Sequence, residues 1–212
     1  MKAGRFITLE GGEGVGKSTQ LQAIVDTLHR LNIETCVTRE PGGTPMAEQI
    51  RELILGQASE QVHRLSETLM MFAARNQHIQ EVIHPALAAG KWVVCDRFVD
   101  ATYAYQGGAR GESTELIAQL EHWVCGELHP DLTLLLDVAP DVGMQRIADR
   151  TKDRMEQEAQ SFYHAVRQTY LDRAAAEPQR FAVVDANRSL AEVTAVVTQV
   201  IEAFVTKSQG NQ

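Results

Sequence analysis

The sequence has few cysteines, no excess of positive charge and no long apolar run, and each absence excludes a class of protein. The 3 cysteines are far apart and form no C-x-x-C pair, and the 7 histidines form no H-E-x-x-H pattern. A disulfide framework and a protein-bound zinc ion are therefore not expected. Acidic residues outnumber basic residues 28 to 20, and the net charge of -8 argues against a general affinity for nucleic acid.

Membrane segments are also missing from the sequence. No run approaches the roughly 20 apolar residues of a membrane-spanning helix, and no long apolar signal segment precedes the first predicted strand. We therefore expect a cytoplasmic protein with neither a membrane nor a nucleic acid as partner. The 212 residues, 44% of them hydrophobic, suit a single domain over residues 1–212.

One glycine-rich stretch dominates the sequence, because residues 11–18 match G-x-x-x-x-G-K-S/T, the pattern of a phosphate-binding loop. An apolar, β-favouring run at 6–9 leads into it, and apolar residues recur at helical spacing behind it. Glycines let backbone N–H groups wrap an anion at a helix N-terminus, where the helix dipole is favourable. Lys17 adds a mobile positive charge, and Ser18 offers a hydroxyl group to magnesium. We predict a nucleotide-phosphate site at Gly11, Gly12, Glu13, Gly14, Val15, Gly16, Lys17, Ser18 and Thr19.

Short apolar runs alternate with helical patterns along the rest of the chain. We predict five strands near residues 6–9, 34–38, 92–95, 132–136 and 181–184, with helices between them. This alternation indicates an α/β fold with a doubly wound, mostly parallel, five-stranded sheet flanked by helices. We further expect a long helix at about 66–89, kinked or split by Pro85, and a flexible loop at 106–111.

Asp96 and Arg97 follow the predicted strand at 92–95, at the sheet edge where open α/β proteins bind ligands. The planar guanidinium group of Arg97 suits bidentate contact with two phosphate oxygens. An ion pair with a neighbouring carboxylate, such as Asp96 itself, is the alternative. The position favours a phosphate contact.

Phe72 and Arg75 are three residues apart on a predicted helix and therefore share a face. An aromatic ring on that face can lie against the flat ring of a ligand while the guanidinium group donates to a carbonyl on its edge. Phe72 by itself would be interpreted as a core residue, since aromatic residues at helical spacing usually face the interior. Arg75 on the same face favours the binding interpretation.

Together these motifs resemble those of the bacterial thymidylate kinases, P-loop enzymes of the nucleoside-monophosphate kinase family. Besides the phosphate-binding loop, the resemblance rests on R-E-P-G-G-T at 39–44, F-A-A-R at 72–75, D-R-F at 96–98, Y-Q-G-G at 105–108 and D-R-M-E at 153–156. It implies transfer of the γ-phosphoryl group of ATP to dTMP, giving dTDP in dTTP biosynthesis, with magnesium. It also implies a homodimer through long helices, which the apolar content of residues 66–89 permits.

The resemblance also implies roles for individual residues. It places Asp96 near the magnesium ion, partly through water, and Arg146, Asn187 and Arg188 beside the adenine. A small mobile lid is implied at about 143–155. The residues implied around dTMP are Glu13, Arg39, Phe72, Arg75, Arg97, Thr102, Tyr105 and Gln106. The implied catalytic residues are Lys17, Arg97, Glu13 and two lid arginines, Arg150 as first choice for the phosphates and Arg154 as second.

Glu13 is unusual, because a carboxylate inside an anion-binding loop is unfavourable unless another group offsets its charge. The family resemblance implies a magnesium-bound water or the 3′-hydroxyl of the acceptor sugar as that group. A side chain that points to solvent is the alternative.

Phosphoryl transfer to a monophosphate is sensible chemistry for these residues. Such an acceptor is largely dianionic near neutral pH, since its second pKa is about 6, so it needs alignment and cationic cover rather than a general base. A GTP-binding switch would require an N-K-x-D motif, which this sequence lacks. A kinase for another nucleoside or nucleoside monophosphate stays open. A hydroxyl acceptor would need a carboxylate base, for which Glu13 or Glu40 is available.

Overall fold

The structure is a computed structural model that describes residues 4–56, 60, 62–147 and 158–210. Its strands are β1 Phe6–Gly11, β2 Thr35–Arg39, β3 Trp92–Asp96, β4 Leu132–Asp137 and β5 Phe181–Asp185. Within the described residues they form one sheet in the order β2, β3, β1, β4, β5, and every neighbouring pair is parallel. β1, β3 and β4 are almost entirely buried, as expected for strands with helices on both faces.

Helices cover both faces of this sheet, which confirms the predicted doubly wound α/β fold. None that the structure describes combines the length and the apolar character needed to cross a membrane. They are α1 Lys17–Arg30, α2 Pro45–Leu55, α3 Arg64–His78, α4 His84–Ala88, α5 Val99–Thr102, α6 Thr114–Cys125, α7 Pro140–Arg146, α8 Gln160–Ala176 and α9 Leu190–Gly210, with π-helical segments at Ile79–Ile83 and Tyr103–Ala109.

Alternate residues of β1 face different cores, because successive side chains of a strand point to opposite faces. Ile7 and Leu9 pack in a core that α1 and α9 complete. Phe6 packs on the other face, against residues of α3 and α6. Two polar residues, Thr8 and Glu10, share the face of Phe6 and are completely buried there. The central strand therefore carries polar groups into the core beneath the glycine-rich loop.

The predicted long helix at 66–89 is split in the structure. α3 ends at His78, a π-helical segment spans Ile79–Ile83, and α4 begins at His84. Pro85 has no N–H group to continue the regular hydrogen-bond ladder, so the helix changes its geometry just before it. The expected interruption by Pro85 is therefore found.

The predicted flexible loop at 106–111 is wrong for most of its length. Tyr103–Ala109 is a π-helical segment, and its residues up to Gly107 are buried. Its glycines serve close packing: a Cβ atom on Gly108 would lie only 1.9 Å from Oγ1 of Thr169 in α8. Glycine-rich sequence here marks a tight contact between helices rather than a mobile segment.

The lid predicted at about 143–155 lies mostly outside the described residues. Residues 143–146 form the last turn of α7, and Ile147 follows them. Arg150 and Arg154 fall in the part that the structure does not describe, so their roles stay predictions.

Candidate active site

The glycine-rich loop joins the end of β1 to the start of α1, as the motif predicts. Gly11, Gly14 and Gly16 have positive φ angles of 143°, 68° and 87°. At Gly14 a Cβ atom would also lie 1.9 Å from the carbonyl oxygen of Gly143 in α7. Both the backbone angle and the contact with α7 therefore require glycine. The result is a tight turn at a helix N-terminus, the geometry that binds anions.

Lys17 spans this loop. Its Nζ atom donates to the carbonyl oxygens of Gly12 at 3.0 Å and Gly11 at 3.2 Å. Burial lowers the pKa of Lys17 from its usual value, and the charge of Arg97 lowers it further. Its ammonium group is thus held at the mouth of the loop beside a second cation.

A cavity of about 720 Å³ opens in front of the loop, a volume typical of small-molecule sites. Loop residues 13–19 form one wall. The carboxyl ends of β2 and β3 form another wall. The remaining walls are formed by α2, α3, the π-helical segment Tyr103–Ala109 and the end of α7. The other lining residues are Arg39, Glu40, Pro41, Arg51, Ile54, Leu55, Met71, Asp96, Arg97, Ala101, Tyr105, Gln106, Arg146 and Ile147.

Arg97 lines this cavity and pairs with Glu13. Its Nη2 atom donates to Oε1 of Glu13 at 2.5 Å, and the hydroxyl group of Tyr105 donates to the same oxygen at 3.0 Å. The guanidinium carbon of Arg97 lies 4.6 Å from the centre of the Tyr105 ring. Arg97 therefore does pair with a carboxylate, as the alternative interpretation held, but with Glu13 rather than Asp96, and it still faces the cavity.

The charge of Glu13 is offset by the protein itself. Burial raises the pKa of Glu13, but Arg97, Lys17 and the Tyr105 hydroxyl group outweigh burial and lower it to about 2. These groups supply the compensation that the family resemblance assigned to a magnesium-bound water or a sugar hydroxyl. A carboxylate with so low a pKa is a poor general base near neutral pH.

Asp96 ends β3 and lies directly opposite Arg39 in the β2–β3 pairing. Its Oδ1 atom is buried and has no hydrogen-bond partner among the described residues. Ser18 is exposed and lines the same cavity. Both are hard oxygen ligands, the type that Mg²⁺ prefers, so the residues fit this ion. The described residues hold no cluster of three or more His, Cys, Asp or Glu side chains for a metal, and further ligands would have to be phosphate oxygens and water.

Arg39 is an exposed cation of the cavity lining. Its side chain is 54% exposed and donates to Oε2 of Glu48 at 2.8 Å. The other oxygen of Glu48 accepts the N–H group of Gly43, which fixes the loop between β2 and α2. Arg39 is thus held at the rim, where it lines the cavity but stays in contact with solvent.

Arg75 is completely buried beside the cavity. Its Nε atom donates to Oε2 of Glu40 at 2.8 Å, and its Nη2 atom donates to Oγ1 of Thr102 at 3.0 Å and to the Phe98 carbonyl at 3.1 Å. Its Nη1 atom is buried without a partner among the described residues. The guanidinium carbon lies 4.8 Å from the centre of the Phe72 ring.

Phe72 and Thr102 lie behind the cavity wall. Phe72 is 2% exposed and packs in the core on the α3 side, so the core interpretation describes its protein contacts. Among the described residues, the cavity lining includes Glu40, Met71 and Gln106 but not Phe72, Arg75 or Thr102. A direct contact of Phe72, Arg75 or Thr102 with a base stays a prediction.

Gln106 contributes a polar group to the same wall. Its Nε2 atom donates to Oε1 of the buried Glu67 at 2.9 Å, while its own Oε1 atom is buried without a partner among the described residues. Glu67 also accepts a bond from Arg110 at 3.0 Å. The amide of Gln106 is therefore held in one orientation, with its oxygen left for another donor.

Arg146 closes the far side of the cavity. Its guanidinium group donates to the carbonyl oxygen of Ala186 at 3.1 Å and to that of Gly14 at 3.3 Å. Asn187 and Arg188 follow Ala186 directly and are exposed, and Arg188 pairs with Asp185 at 3.3 Å. The structure therefore brings Arg146 next to the 187–188 segment, although only Arg146 lines the cavity.

Several lining residues were not predicted from the sequence. Arg51 of α2 donates to the carbonyl oxygen of Pro41 at 2.9 Å and faces the cavity with Ile54. Arg51 shares its helix face with Ala47 and Ile54, both buried, at a spacing of four and three residues. That spacing is a signal for an inward-facing cation, because an arginine on a solvent face would not align with apolar positions.

Comparisons with known proteins agree with this geometry. The thymidylate kinase family model matches residues 9–197. The thymidylate kinases of Ectopseudomonas mendocina (strain ymp) and Pseudomonas syringae pv. tomato are each 52% identical over 208 residues, covering 98% of this chain and 99% of each relative. The crystal structure of thymidylate kinase from Ehrlichia chaffeensis superimposes with a TM-score of 0.75 at 34% identity, covering 94% of this chain and 99% of that one. With similarity of this extent in both sequence and structure, the chain belongs to the thymidylate kinase family.

Proposed function

We propose that this protein transfers the γ-phosphoryl group of ATP to dTMP, giving ADP and dTDP in dTTP biosynthesis. The observation that carries the proposal is the pairing of Arg97 with an ionised Glu13 in the same cavity as Lys17. Since Glu13 has a pKa of about 2, it is a poor base for activating a hydroxyl group. Glu40, the other candidate base, is held by Arg75 at 2.8 Å and contacts His78 at 2.9 Å. An acceptor that is already an anion needs no base, and a nucleoside monophosphate meets that condition.

The donor nucleotide binds at the glycine-rich loop. Backbone N–H groups of residues 11–19 and the ammonium group of Lys17 hold its phosphates. Arg146, together with the segment of Asn187 and Arg188, lies beside the adenine. Ser18 and Asp96 would hold Mg²⁺, partly through water. When bound, this ion offsets charge on the phosphate oxygens during transfer.

The acceptor phosphate binds between Arg97 and Arg39. Both arginines line the cavity at the carboxyl ends of β3 and β2, and a guanidinium group binds two phosphate oxygens in fixed geometry. Positive charge from Arg97 and Lys17 covers the transferring group, with Arg150 and Arg154 assigned to the same task. Chemistry then depends on alignment and electrostatic stabilisation, as in other phosphoryl transfers.

Two buried atoms support a pyrimidine base as the group that is selected. The Nη1 atom of Arg75 is a donor without a partner and the Oε1 atom of Gln106 is an acceptor without one, within the described part of the chain. One donor and one acceptor complement the carbonyl and N3–H groups of a thymine edge. Leaving such buried groups unpaired is unfavourable, so a base that pairs them is preferred. Phe72, Thr102 and Tyr105 complete the proposed base and sugar site.

A substrate panel tests this function. ADP release is measured with ATP and Mg²⁺ against dTMP, dUMP, dCMP, AMP, GMP and thymidine. We expect dTMP to have the highest kcat/KM. Turnover of thymidine equal to or above that of dTMP would defeat the assignment, and a different leading monophosphate would support the alternative of another nucleoside-monophosphate kinase.

We also propose a homodimer through α3 and α6, which pack against each other. Leu65 and Leu69, one turn apart on α3, are 46% and 47% exposed, and Trp123 on α6 is 76% exposed. Large apolar side chains exposed on adjoining helices indicate a protein contact. Light scattering of the purified protein should give twice the chain mass, and Trp123→Glu should shift it to the monomer. A monomeric wild-type protein would reject this dimer.

A further inference from the structure

Glu10 is a completely buried carboxyl group that the proposed reaction does not use. It lies in β1, three residues before Glu13, and its side chain has no exposed surface and does not line the cavity. A buried carboxyl group in the central strand of a sheet is unfavourable unless its oxygens are hydrogen-bonded. The partners of Glu10 therefore indicate why it is there.

Both oxygens of Glu10 have partners on other elements. Oε1 accepts the backbone N–H group of Phe98 at 2.7 Å, and Oε2 accepts the hydroxyl group of Tyr170 in α8 at 2.8 Å. Phe98 directly follows Arg97, whose own N–H group donates to the carbonyl oxygen of Leu9 at 3.0 Å. Two successive residues of β1 thus hold the two peptide N–H groups on either side of the Arg97 Cα atom.

Arg97 needs this support because of its backbone conformation. Its φ angle is 70°, in the left-handed region that residues other than glycine rarely adopt. Pairing of β1 with β3 ends at Leu9 and Asp96, so the Phe98 N–H group has no further strand partner. Glu10 supplies an acceptor at that point, and its hydrogen bond stabilises the strained backbone at Arg97.

Tyr170 links the backbone support of Arg97 to the support of its side chain. The Tyr170 hydroxyl group fixes Glu10, and the Tyr170 ring lies 6.5 Å from the Tyr105 ring, centre to centre. The guanidinium group of Arg97 lies over that Tyr105 ring. Both the main chain and the guanidinium group of Arg97 therefore rest on groups that contact Tyr170.

We propose that Glu10 is a positioning residue for phosphoryl transfer: its carboxyl group fixes the peptide after Arg97 and so aims the guanidinium group at Glu13 and the acceptor phosphate. This inference rests on the proposed function, because that function assigns Arg97 to the acceptor phosphate. The carboxyl group itself contacts no substrate. It acts through the backbone of Arg97 alone.

Two substitutions distinguish the effect of losing the hydrogen-bond acceptor from the effect of changing the side-chain volume. Glu10→Met removes the acceptor for Phe98 while keeping a similar size, and Glu10→Gln keeps a carbonyl oxygen for that bond. We expect Glu10→Met to lower kcat/KM for dTMP by about 10- to 100-fold, the loss that misplacement by about 1 Å can cause. The kcat/KM of Glu10→Gln should be about tenfold higher than that of Glu10→Met, by the same estimate.

A double-mutant cycle with Arg97→Ala separates positioning from a general effect on the fold. If Glu10 acts through Arg97, Glu10→Met should cause little further loss of kcat/KM when the Arg97 side chain is absent. If it acts only through stability of the fold, the loss should be the same in both backgrounds. Equal losses would overturn the proposal, as would a Glu10→Met variant with normal activity.

Thr8 provides the matched control. It is buried on the same face of β1, and its Oγ1 atom shares a 2.8 Å hydrogen bond with Oγ1 of Thr133. Thr133 keeps a second partner in Arg180 at 2.7 Å. Thr8→Val should lower the melting temperature without changing kcat/KM, because no bond to residues 97 and 98 is lost. A loss of activity matching that of Glu10→Met would contradict the assigned role.

If Glu10→Met does not fold, Tyr170→Phe takes its place in the cycle, since it removes the hydroxyl group that fixes Glu10. We then expect a several-fold loss of kcat/KM that vanishes in the Arg97→Ala background, and a loss that persists there would overturn the proposal. The substrate panel keeps the two hypotheses apart. If another monophosphate proves to be the substrate, the cycle is run on that nucleotide, and Glu10 can succeed or fail independently of dTMP.

Discussion

Glu13 and Glu10 lie three residues apart at the end of the same strand, yet their surroundings move their pKa values in opposite directions. Glu13 belongs to the cavity. Burial raises its pKa, but Arg97, Lys17 and the Tyr105 hydroxyl group outweigh burial and lower it to about 2. In that region a negative charge lies beside two cations, and it is hydrogen-bonded to one of them, Arg97.

Glu10 belongs to the core beneath the cavity. Burial raises its pKa to about 8, the negative charge of Asp100 adds to this, and bonds from Tyr170 and the Phe98 N–H group offset it only in part. The raised pKa favours the neutral acid in the folded state, with Oε1 as the carbonyl oxygen that accepts the Phe98 N–H group. A neutral acid can hold a backbone N–H group without adding negative charge beneath a phosphate site. In the cavity, Glu13 acts through its negative charge. In the core, Glu10 acts through a hydrogen bond that fixes the backbone.

The largest expected effect comes from removing Arg97, the cation that contacts Glu13 through its side chain and lies next to the peptide that Glu10 holds. Arg97→Ala should lower kcat/KM for dTMP by about 1,000-fold or more, because a lost charge-assisted contact to the transferring group is worth several kcal/mol. Steady-state assays and thermal unfolding, which should change much less, check this. Arg30→Ala is the control, since Arg30 is not among the cavity-lining residues and its ion pair with Glu202 at 2.9 Å is exposed. Near-normal activity of Arg97→Ala would remove Arg97 from the site.

The raised pKa of Glu10 predicts a pH dependence of stability. Between its usual 4.5 and about 8 the folded state keeps a proton that the unfolded state has lost. The folded state then binds more protons, so the contribution of Glu10 to the free energy of unfolding falls as pH rises through this window. The total fall over the whole window is on the order of 5 kcal/mol, since one pKa unit corresponds to about 1.4 kcal/mol.

Glu10→Gln removes this titration and is compared with wild type in urea unfolding at pH 5, 6, 7 and 8. The difference in free energy of unfolding between the two proteins should shift against wild type as pH rises. A difference that stays constant over this range would show that Glu10 is ionised already at the lowest pH.

Glu13 should give the opposite slope. Its folded pKa of about 2 lies below its usual 4.5, so its stabilising contribution is complete above 4.5 and is lost as pH falls toward 2. We expect the advantage of wild type over Glu13→Gln to fall by about 1 kcal/mol between pH 5.5 and 3.5, less than the full shift implies. Urea unfolding at these pH values measures it. An advantage that grows as pH falls would reverse the assignment of the two carboxylates.

The contrast between the two glutamates also shows what the sequence could predict. The glycine-rich loop, the five strands and the position of Arg97 were predictable, because each depends on residues that are neighbours in the chain. The partner of Arg97 was not, since Glu13 lies 84 residues away and Asp96 is the neighbour that sequence suggests. Spatial pairing across that distance depends on how β1 and β3 align.

Glu10 was missed for the same reason. A charged residue directly after the predicted strand at 6–9 was a signal, but its partner Tyr170 is 160 residues distant. The π-helical segment at Tyr103–Ala109 was missed because glycines were interpreted as flexibility, whereas Gly108 packs against Thr169. The local sequence pattern predicts helices and strands well, but it predicts contacts between distant elements poorly.

The smallest effect on activity is expected for Arg39 at the rim of the cavity. Its charge interacts more weakly with the substrate because water reaches it. Arg39 lines the cavity as Arg97 does, but it is 54% exposed against 18%, and its partner Glu48 is 39% exposed. An exposed ion pair is worth about 1 kcal/mol or less. Arg39→Ala should therefore raise KM for dTMP by only about threefold and leave kcat nearly unchanged, which initial-rate measurements over a range of dTMP concentrations would show. A loss of kcat as large as that of Arg97→Ala would mean that exposure does not set the rank of the two arginines.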